Sequence, residues 1–193
     1  MTRVLGVIGS PRKGGNTDVL VSAALEGAKA EGAAVEAVHL GEMNIEECDG
    51  CHACWSGGEC RKDDDMADLF AKVIDSDAFI FGTPVYWYAP TALMKAFIDR
   101  LVYFNGEANR PKIRGKSAAV VIPFEESGYD TAAPVTAFFE RCLAYLEMEL
   151  AGRLLVPGVT RLGEVREHPG RLAEARELGR RLAGASPGEA DAP

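Results

Sequence analysis

The chain has 193 residues and a formal net charge of −8, with 47% hydrophobic and 26% charged residues. This length predicts one compact domain, and the composition excludes disordered and fibrous classes because it supplies enough apolar side chains for a core. An acidic chain without a visible basic patch does not fit a nucleic-acid binder. Every apolar run is shorter than the roughly 20 residues that a membrane span needs, and the first run is too short for a signal peptide. We therefore expect a cytoplasmic protein with no nucleic-acid or membrane partner.

Short apolar runs alternate along the chain with amphipathic stretches. The runs predict strands at 3–8, 35–40, 78–82, 117–123 and 150–157, and the helix patterns cover about 17–31, 65–74, 90–104, 132–149 and 167–185. Three of these runs are almost continuously apolar, as parallel strands covered by helices on both faces require. The sequence therefore predicts an α/β fold, a doubly wound five-stranded parallel sheet with helices on both faces. We expect a single domain over residues 1–185 and a flexible tail at 186–193.

A glycine-rich segment, GSPRKGGNT at residues 9–17, follows the first predicted strand and leads into a helix. Helix N-termini bind anions, and ligands of such sheets lie beyond the carboxyl ends of the strands. We name this segment the phosphate loop, and its spacing fits one phosphate but neither a dinucleotide fingerprint nor a nucleotide-hydrolysing P-loop. Alternatively, the glycines only make a turn and Thr17 only caps the helix. The candidate phosphate contacts are Ser10, Arg12, Gly15, Asn16 and Thr17.

A second loop, GTPVYWYAP at residues 82–90, follows the third predicted strand and is named the ring loop. Its three consecutive aromatic side chains cannot all enter one core, so some are free to cover a flat ligand or to form a dimer contact. The candidate ring contacts are Pro84, Val85, Tyr86 and Trp87. Residues 123–131, after the fourth strand, would close the far side of the site, with Gly128 able to adopt a positive φ near the ring. One phosphate site beside an aromatic loop predicts FMN.

Four of the five cysteines, Cys48, Cys51, Cys54 and Cys60, fall within residues 48–60, which we name the cysteine loop. Three thiols at even two-residue gaps favour a 4Fe-4S cluster, whereas zinc sites usually combine two separated cysteine pairs. Zinc, a disulfide and free thiols remain alternatives. The fifth cysteine, Cys142, lies in an apolar helix pattern typical of a small core residue. The acidic run at 63–65 is interpreted as N-terminal capping of the second helix.

The phosphate loop, the segment GTPVYW and a helix ending in KAFIDR together resemble the NAD(P)H-dependent FMN reductase group of flavodoxin-like proteins, over residues 1 to about 160. The resemblance implies FMN, with its phosphate at the phosphate loop and its isoalloxazine at the ring loop, and a dimer or a dimer of dimers. The cysteine loop is similar to that of the iron–sulfur flavoproteins, a branch of the same family. That similarity implies that the four cysteines are cluster ligands.

These features predict an FMN-dependent oxidoreductase that exchanges electrons between FMN and a 4Fe-4S cluster, with NAD(P)H as a possible donor. One alternative is a cluster-free NAD(P)H-dependent reductase of FMN or a quinone, and another is a non-catalytic flavodoxin-like carrier. The expected partners are a small redox donor or acceptor or a ferredoxin-like protein. We also expect a homodimer or homotetramer, because the helix patterns at 90–104 and 132–149 carry more apolar surface than one side of a sheet can cover. The residues behind that expectation are Phe138, Phe139, Leu143, Tyr145 and Leu146.

Overall fold

A computed structural model describes residues 1–184 of the chain. Its strands form one all-parallel sheet in the order β2-β1-β3-β4-β5. The strands are β1 (Arg3–Ile8), β2 (Ala34–His39), β3 (Ala78–Gly82), β4 (Ser117–Pro123) and β5 (Glu149–Val156), and the helices are α1 (Asn16–Ala30), α2 (Met66–Asp75), α3 (Ala92–Arg100), α4 (Ala133–Tyr145) and α5 (Pro169–Gly184). This is the flavodoxin-like strand order, so the predicted doubly wound sheet is confirmed.

The hydrophobic core lies on both faces of the sheet. The central strands β3 and β4 are buried along their whole length, whereas the edge strands β2 and β5 are partly exposed. Helices α1 and α5 cover one face, and α2, α3 and α4 cover the other. Because two-sided burial requires apolar side chains at consecutive positions, the continuous apolar runs marked the central strands correctly.

Two helices are shorter than the sequence predicts. Helix α3 ends at Arg100 and continues as a 3₁₀ turn over Leu101–Asn105. Helix α4 ends at Tyr145, because Glu147 adopts a left-handed φ of 59° and the Met148 amide donates to Leu143 O at 2.9 Å. The predicted helix, which extends to residue 149, therefore overlaps the first residue of β5.

The apolar excess expected on α4 is mostly absent. Phe139, Leu143 and Leu146 are buried in the core, whereas Tyr145 is 63% exposed. Most of these side chains pack against the chain's own sheet, so α4 offers little apolar surface for the self-association expected from it.

Within residues 1–184, no helix is both long and apolar enough to span a bilayer. The predicted tail at 186–193 lies outside the described residues.

Candidate functional site

The phosphate loop and the ring loop lie together beyond the carboxyl ends of β1 and β3. The Gly9 amide donates to Gly82 O at 2.8 Å, and the Thr91 hydroxyl donates to Gly9 O at 2.5 Å. Thr91 also caps α3, since its hydroxyl accepts from the Met94 amide at 3.2 Å. A buried threonine thus fixes the start of α3 against both loops.

Between these loops lies a pocket, named here the inter-loop pocket. Seven sequence-predicted residues line it: Ser10, Arg12, Asn16, Thr17, Pro84, Val85 and Tyr86. The rest of the wall comes from the segment after β4, with Pro123, Phe124 and Glu125, and from the segment after β5, with Val159 and Thr160. Only the last two lie outside the predicted segments. The two predicted loops are therefore brought together by the topology, as parallel strands require.

The phosphate loop presents an uncapped helix N-terminus to this pocket. Gly15 occupies the N-cap position of α1 and no side chain caps the helix, so the first amides of α1 keep their donor capacity. Thr17, in the first turn of α1, is 2% exposed and lines the pocket wall. This arrangement suits a phosphate. Gly15 is not one of the described residues that line the pocket, and its role is to form the backbone turn before α1.

Arg12 and Asn16 are engaged by the segment that follows β5. Arg12 Nη1 donates to Thr160 O at 3.1 Å, and Asn16 Nδ2 donates to Arg161 O at 3.0 Å. Asn16 Oδ1 also accepts from the Val165 amide at 3.0 Å. Both side chains therefore position the segment over the phosphate loop, a role that single-sequence motifs do not reveal.

Glu164 stabilises the backbone conformation of the segment that follows β5. Its carboxylate accepts from the amides of Thr160 and Arg161, both at 2.8 Å. These backbone hydrogen bonds, followed by those from the Arg161 side chain, lower the pKa of Glu164 to about 2. This segment is not among the predicted site loops, and its position at the carboxyl end of the last strand is the one feature that could have indicated it.

The ring loop ends in a tight two-residue hairpin, residues 86–89, named here the aromatic hairpin. The amides of Tyr86 and Ala89 donate to each other's carbonyl at 2.9 and 3.0 Å. Trp87 and Tyr88 have left-handed φ values of 50° and 61°, which favour glycine or asparagine. Such strain in non-glycine residues often marks functional sites.

Trp87 points away from the inter-loop pocket. It is 95% exposed and borders a neighbouring cavity with Val85, Glu126 and Thr131. The structure therefore places Tyr86 in the predicted ring site but puts Trp87 beside it.

Gly128 does not adopt the expected positive φ. Its backbone is extended, with φ −82° and ψ 129°, and it lines neither cavity. A Cβ at this position would meet only the carboxylate end of the exposed Asp130 side chain, which can move away. The capacity of Gly128 for a positive φ is therefore not used in this loop.

The four clustered cysteines line one pocket, named here the thiol pocket. Its wall also contains Asp49, Gly50, His52, Trp55, Lys62, Arg100, Val102 and Tyr103. Cys48, Cys51, Cys54 and Cys60 are all free thiols, with Cys54 buried and Cys51 exposed. Burial, reinforced by the neighbouring thiols, raises the pKa of Cys54.

The thiols are not gathered as a preformed single-ion site. Among residues 1–184, no three His, Cys, Asp or Glu side chains are arranged to hold one metal ion. A 4Fe-4S cube binds each thiolate through a different iron, so its ligands surround a larger group than one zinc ion. Four thiols around one pocket are the donor set that such a cube requires.

A buried ion pair adjoins the thiol pocket. Arg100 bonds to both carboxylate oxygens of Asp64 at 2.6 and 3.0 Å, and both side chains are at most 1% exposed. Burial alone would raise the pKa of Asp64, but bonds from Arg100 and from the amides of Glu46 and Met66 hold it below its usual value. Asp64 thus does more than the helix capping expected of the acidic run, and no sequence motif pointed to its pairing with Arg100.

Comparisons with known proteins agree with this architecture. The family model of NADPH-dependent FMN reductases matches residues 2–160. An iron-sulfur flavoprotein of Archaeoglobus fulgidus is 35% identical over 181 residues, covering 94% of this chain and 79% of that protein. An iron-sulfur flavoprotein of Methanosarcina thermophila is 37% identical over 100 residues, which cover 52% of each chain.

Solved structures show the same fold at lower identity. The NAD(P)H:quinone oxidoreductase of Methanothermobacter marburgensis superposes with a TM-score of 0.74 at 18% identity, over 96% of both chains. A flavodoxin from the domain Archaea gives 0.57 at 14% identity, over 95% of this chain and 96% of that one. With its sequence matched over residues 2–160 and its two loops forming one pocket, the chain belongs to the NADPH-dependent FMN reductase family and is an FMN-dependent oxidoreductase.

Proposed function

We propose that this oxidoreductase carries two redox centres, FMN in the inter-loop pocket and a 4Fe-4S cluster in the thiol pocket, and passes electrons between them. The observation that carries the proposal is the meeting of Cys48, Cys51, Cys54 and Cys60 on one pocket wall. The similarity to the iron-sulfur flavoproteins of Archaeoglobus and Methanosarcina supports it.

The chain's residues fit the FMN part as follows. The uncapped start of α1 and the Thr17 hydroxyl would bind the phosphate. Pro84 and Val85 would present a stiff backbone to the ring, and Tyr86 would cover it from the start of the aromatic hairpin. Bound FMN accepts two electrons from NAD(P)H as a hydride and can release them one at a time.

Helix α3 joins the two pockets. Its N-cap Thr91 touches the phosphate loop, and its last residue, Arg100, lines the thiol pocket. Nine helical residues span about 13 Å at 1.5 Å per residue. A rigid helix therefore fixes the distance between the two proposed centres.

Metal and cofactor content tests the proposal directly. Protein purified without oxygen should contain FMN together with about four iron and four sulfide per chain. Cys48→Ala should lose iron and sulfide and keep FMN, because Cys48 lies outside the inter-loop pocket wall. Cys142→Ala is the matched control, since Cys142 lies on α4 and should leave both centres intact.

Other metal or cofactor contents would support other functions. FMN without iron in anaerobic protein would reject the cluster and favour an NAD(P)H-dependent reductase of flavin or quinone. Zinc in place of iron would assign the thiols a structural role. Equal iron in the wild type and in Cys48→Ala would reject Cys48 as a ligand.

A further inference from the structure

One side chain in the thiol pocket is held in a fixed orientation toward sulfur. Arg100 Nη2 lies 3.2 Å from Cys60 Sγ, and the residue is 2% exposed. Asp64 binds both Nη atoms of the guanidinium, and Glu46 O accepts from Nη1 at 2.9 Å. Three protein groups thus determine where this guanidinium points.

The same guanidinium has a donor left over. Among residues 1–184, Arg100 Nε is the buried side-chain nitrogen or oxygen atom that lacks a hydrogen-bond partner. Burying a polar donor without an acceptor is costly, and native structures rarely leave one unpaired. Arg100 already donates to the Cys60 thiol through Nη2, and its Nε donor has no acceptor among the surrounding protein atoms. This combination indicates that a bound group supplies the acceptor.

We propose that Arg100 is the positioning residue of the sulfur-ligated centre, orienting Cys60 and donating N–H hydrogen bonds to its sulfur atoms. This inference rests on the proposed function, because it requires a cluster in the thiol pocket. Hydrogen bonds to the sulfurs of a cluster raise its reduction potential, since they stabilise the extra negative charge of the reduced form. Arg100 therefore sets how readily the centre accepts an electron.

Lys62, a second cation in the wall of the thiol pocket, allows the effect of positive charge to be tested separately from that of a hydrogen bond to sulfur. Lys62 lines the thiol pocket but pairs with Glu46 at 2.9 Å and with Asp49 at 3.8 Å. Lys62→Met removes a positive charge without removing a bond to sulfur. Arg100→Lys keeps the charge beside Asp64 but loses the planar fork that reaches Asp64 and Cys60 together.

The test is a redox titration of the anaerobic proteins with dithionite as the electron donor, followed by EPR of the reduced form. For a one-electron centre, Arg100→Lys should lower the reduced-to-oxidised ratio at a fixed potential about tenfold, a shift of about 59 mV. Lys62→Met should shift the reduction potential less than Arg100→Lys does. A larger shift in Lys62→Met, or none in Arg100→Lys, would overturn the proposal and leave the cluster itself intact.

A measurement on the unmutated protein covers the case in which Arg100→Lys does not fold. Protein labelled with ¹⁵N-arginine should show a weak ¹⁵N coupling in pulsed EPR of the reduced centre, because Nη2 lies against a ligand sulfur. No coupling in an iron-loaded wild type would reject the role of Arg100. A wild type with no iron would reject both this role and the proposed function, and the iron analysis alone identifies that case.

Discussion

Neighbouring side chains of the phosphate loop have different roles. Asn16 is occupied on both sides of its amide by Arg161 and Val165, whereas Thr17 is buried in the wall of the inter-loop pocket. Loss of Asn16 would thus disturb the segment after β5 as well as any ligand. Thr17 is the cleaner probe of phosphate binding.

We predict that Thr17→Val weakens FMN binding by about 1 to 3 kcal/mol, because it removes a hydrogen bond to a charged group and keeps the side-chain shape. Quenching of flavin fluorescence on titration of the apoprotein measures this. Ser22→Ala removes an exposed hydroxyl from the same helix, where it faces Asp18, and should leave the affinity unchanged. Equal affinities for Thr17→Val and the wild type would show that the phosphate lies elsewhere.

Helices α1 and α5 pack with their backbones in close contact. Gly27 faces the backbone of Arg176, and Gly179 faces the backbone of Ala24, with no room for a side chain at either position. Glycine at both positions lets the two helix backbones touch on one face of the sheet. Since α1 starts at the phosphate loop, this contact also supports the site.

Gly179→Ala should therefore destabilise the protein by about 1 to 3 kcal/mol through overpacking. Gly170→Ala in the same helix meets open space and should be neutral or stabilising by at most about 1 kcal/mol. Urea unfolding of the two variants gives the comparison. Similar stabilities would mean that α5 shifts to accept the added methyl group.

In the whole molecule, three consecutive exposed aromatic side chains lie on the aromatic hairpin, outside α4. Tyr86, Trp87 and Tyr88 are 43%, 95% and 59% exposed, and two of them have strained backbones. This surface borders the inter-loop pocket. We propose that the homodimer or homotetramer expected from the sequence forms through the aromatic hairpin.

Light scattering should then give two or four times the 20.7 kDa chain mass. Trp87→Asn should lower that mass and should not destabilise the monomer, because asparagine tolerates the left-handed backbone that Trp87 adopts. Tyr145→Ser, at an exposed aromatic on α4, should leave the assembly unchanged. A monomeric wild type, or dissociation in Tyr145→Ser alone, would contradict this interface.

Local sequence patterns alone predict the five parallel strands, the phosphate loop, the ring loop and the cysteine loop. Each depends on local features: continuous apolar runs, turn-forming glycines and prolines, and the spacing of thiols. Three features needed the tertiary structure: the engagement of Asn16 by Val165, the ion pair of Asp64 with Arg100, and the exposure of Trp87. These join residues far apart in the chain or depend on a backbone conformation, so no local pattern encodes them. The ends of α3 and α4 were also misplaced, because α3 changes to a 3₁₀ turn and α4 ends beside the left-handed Glu147, and neither change is marked by composition.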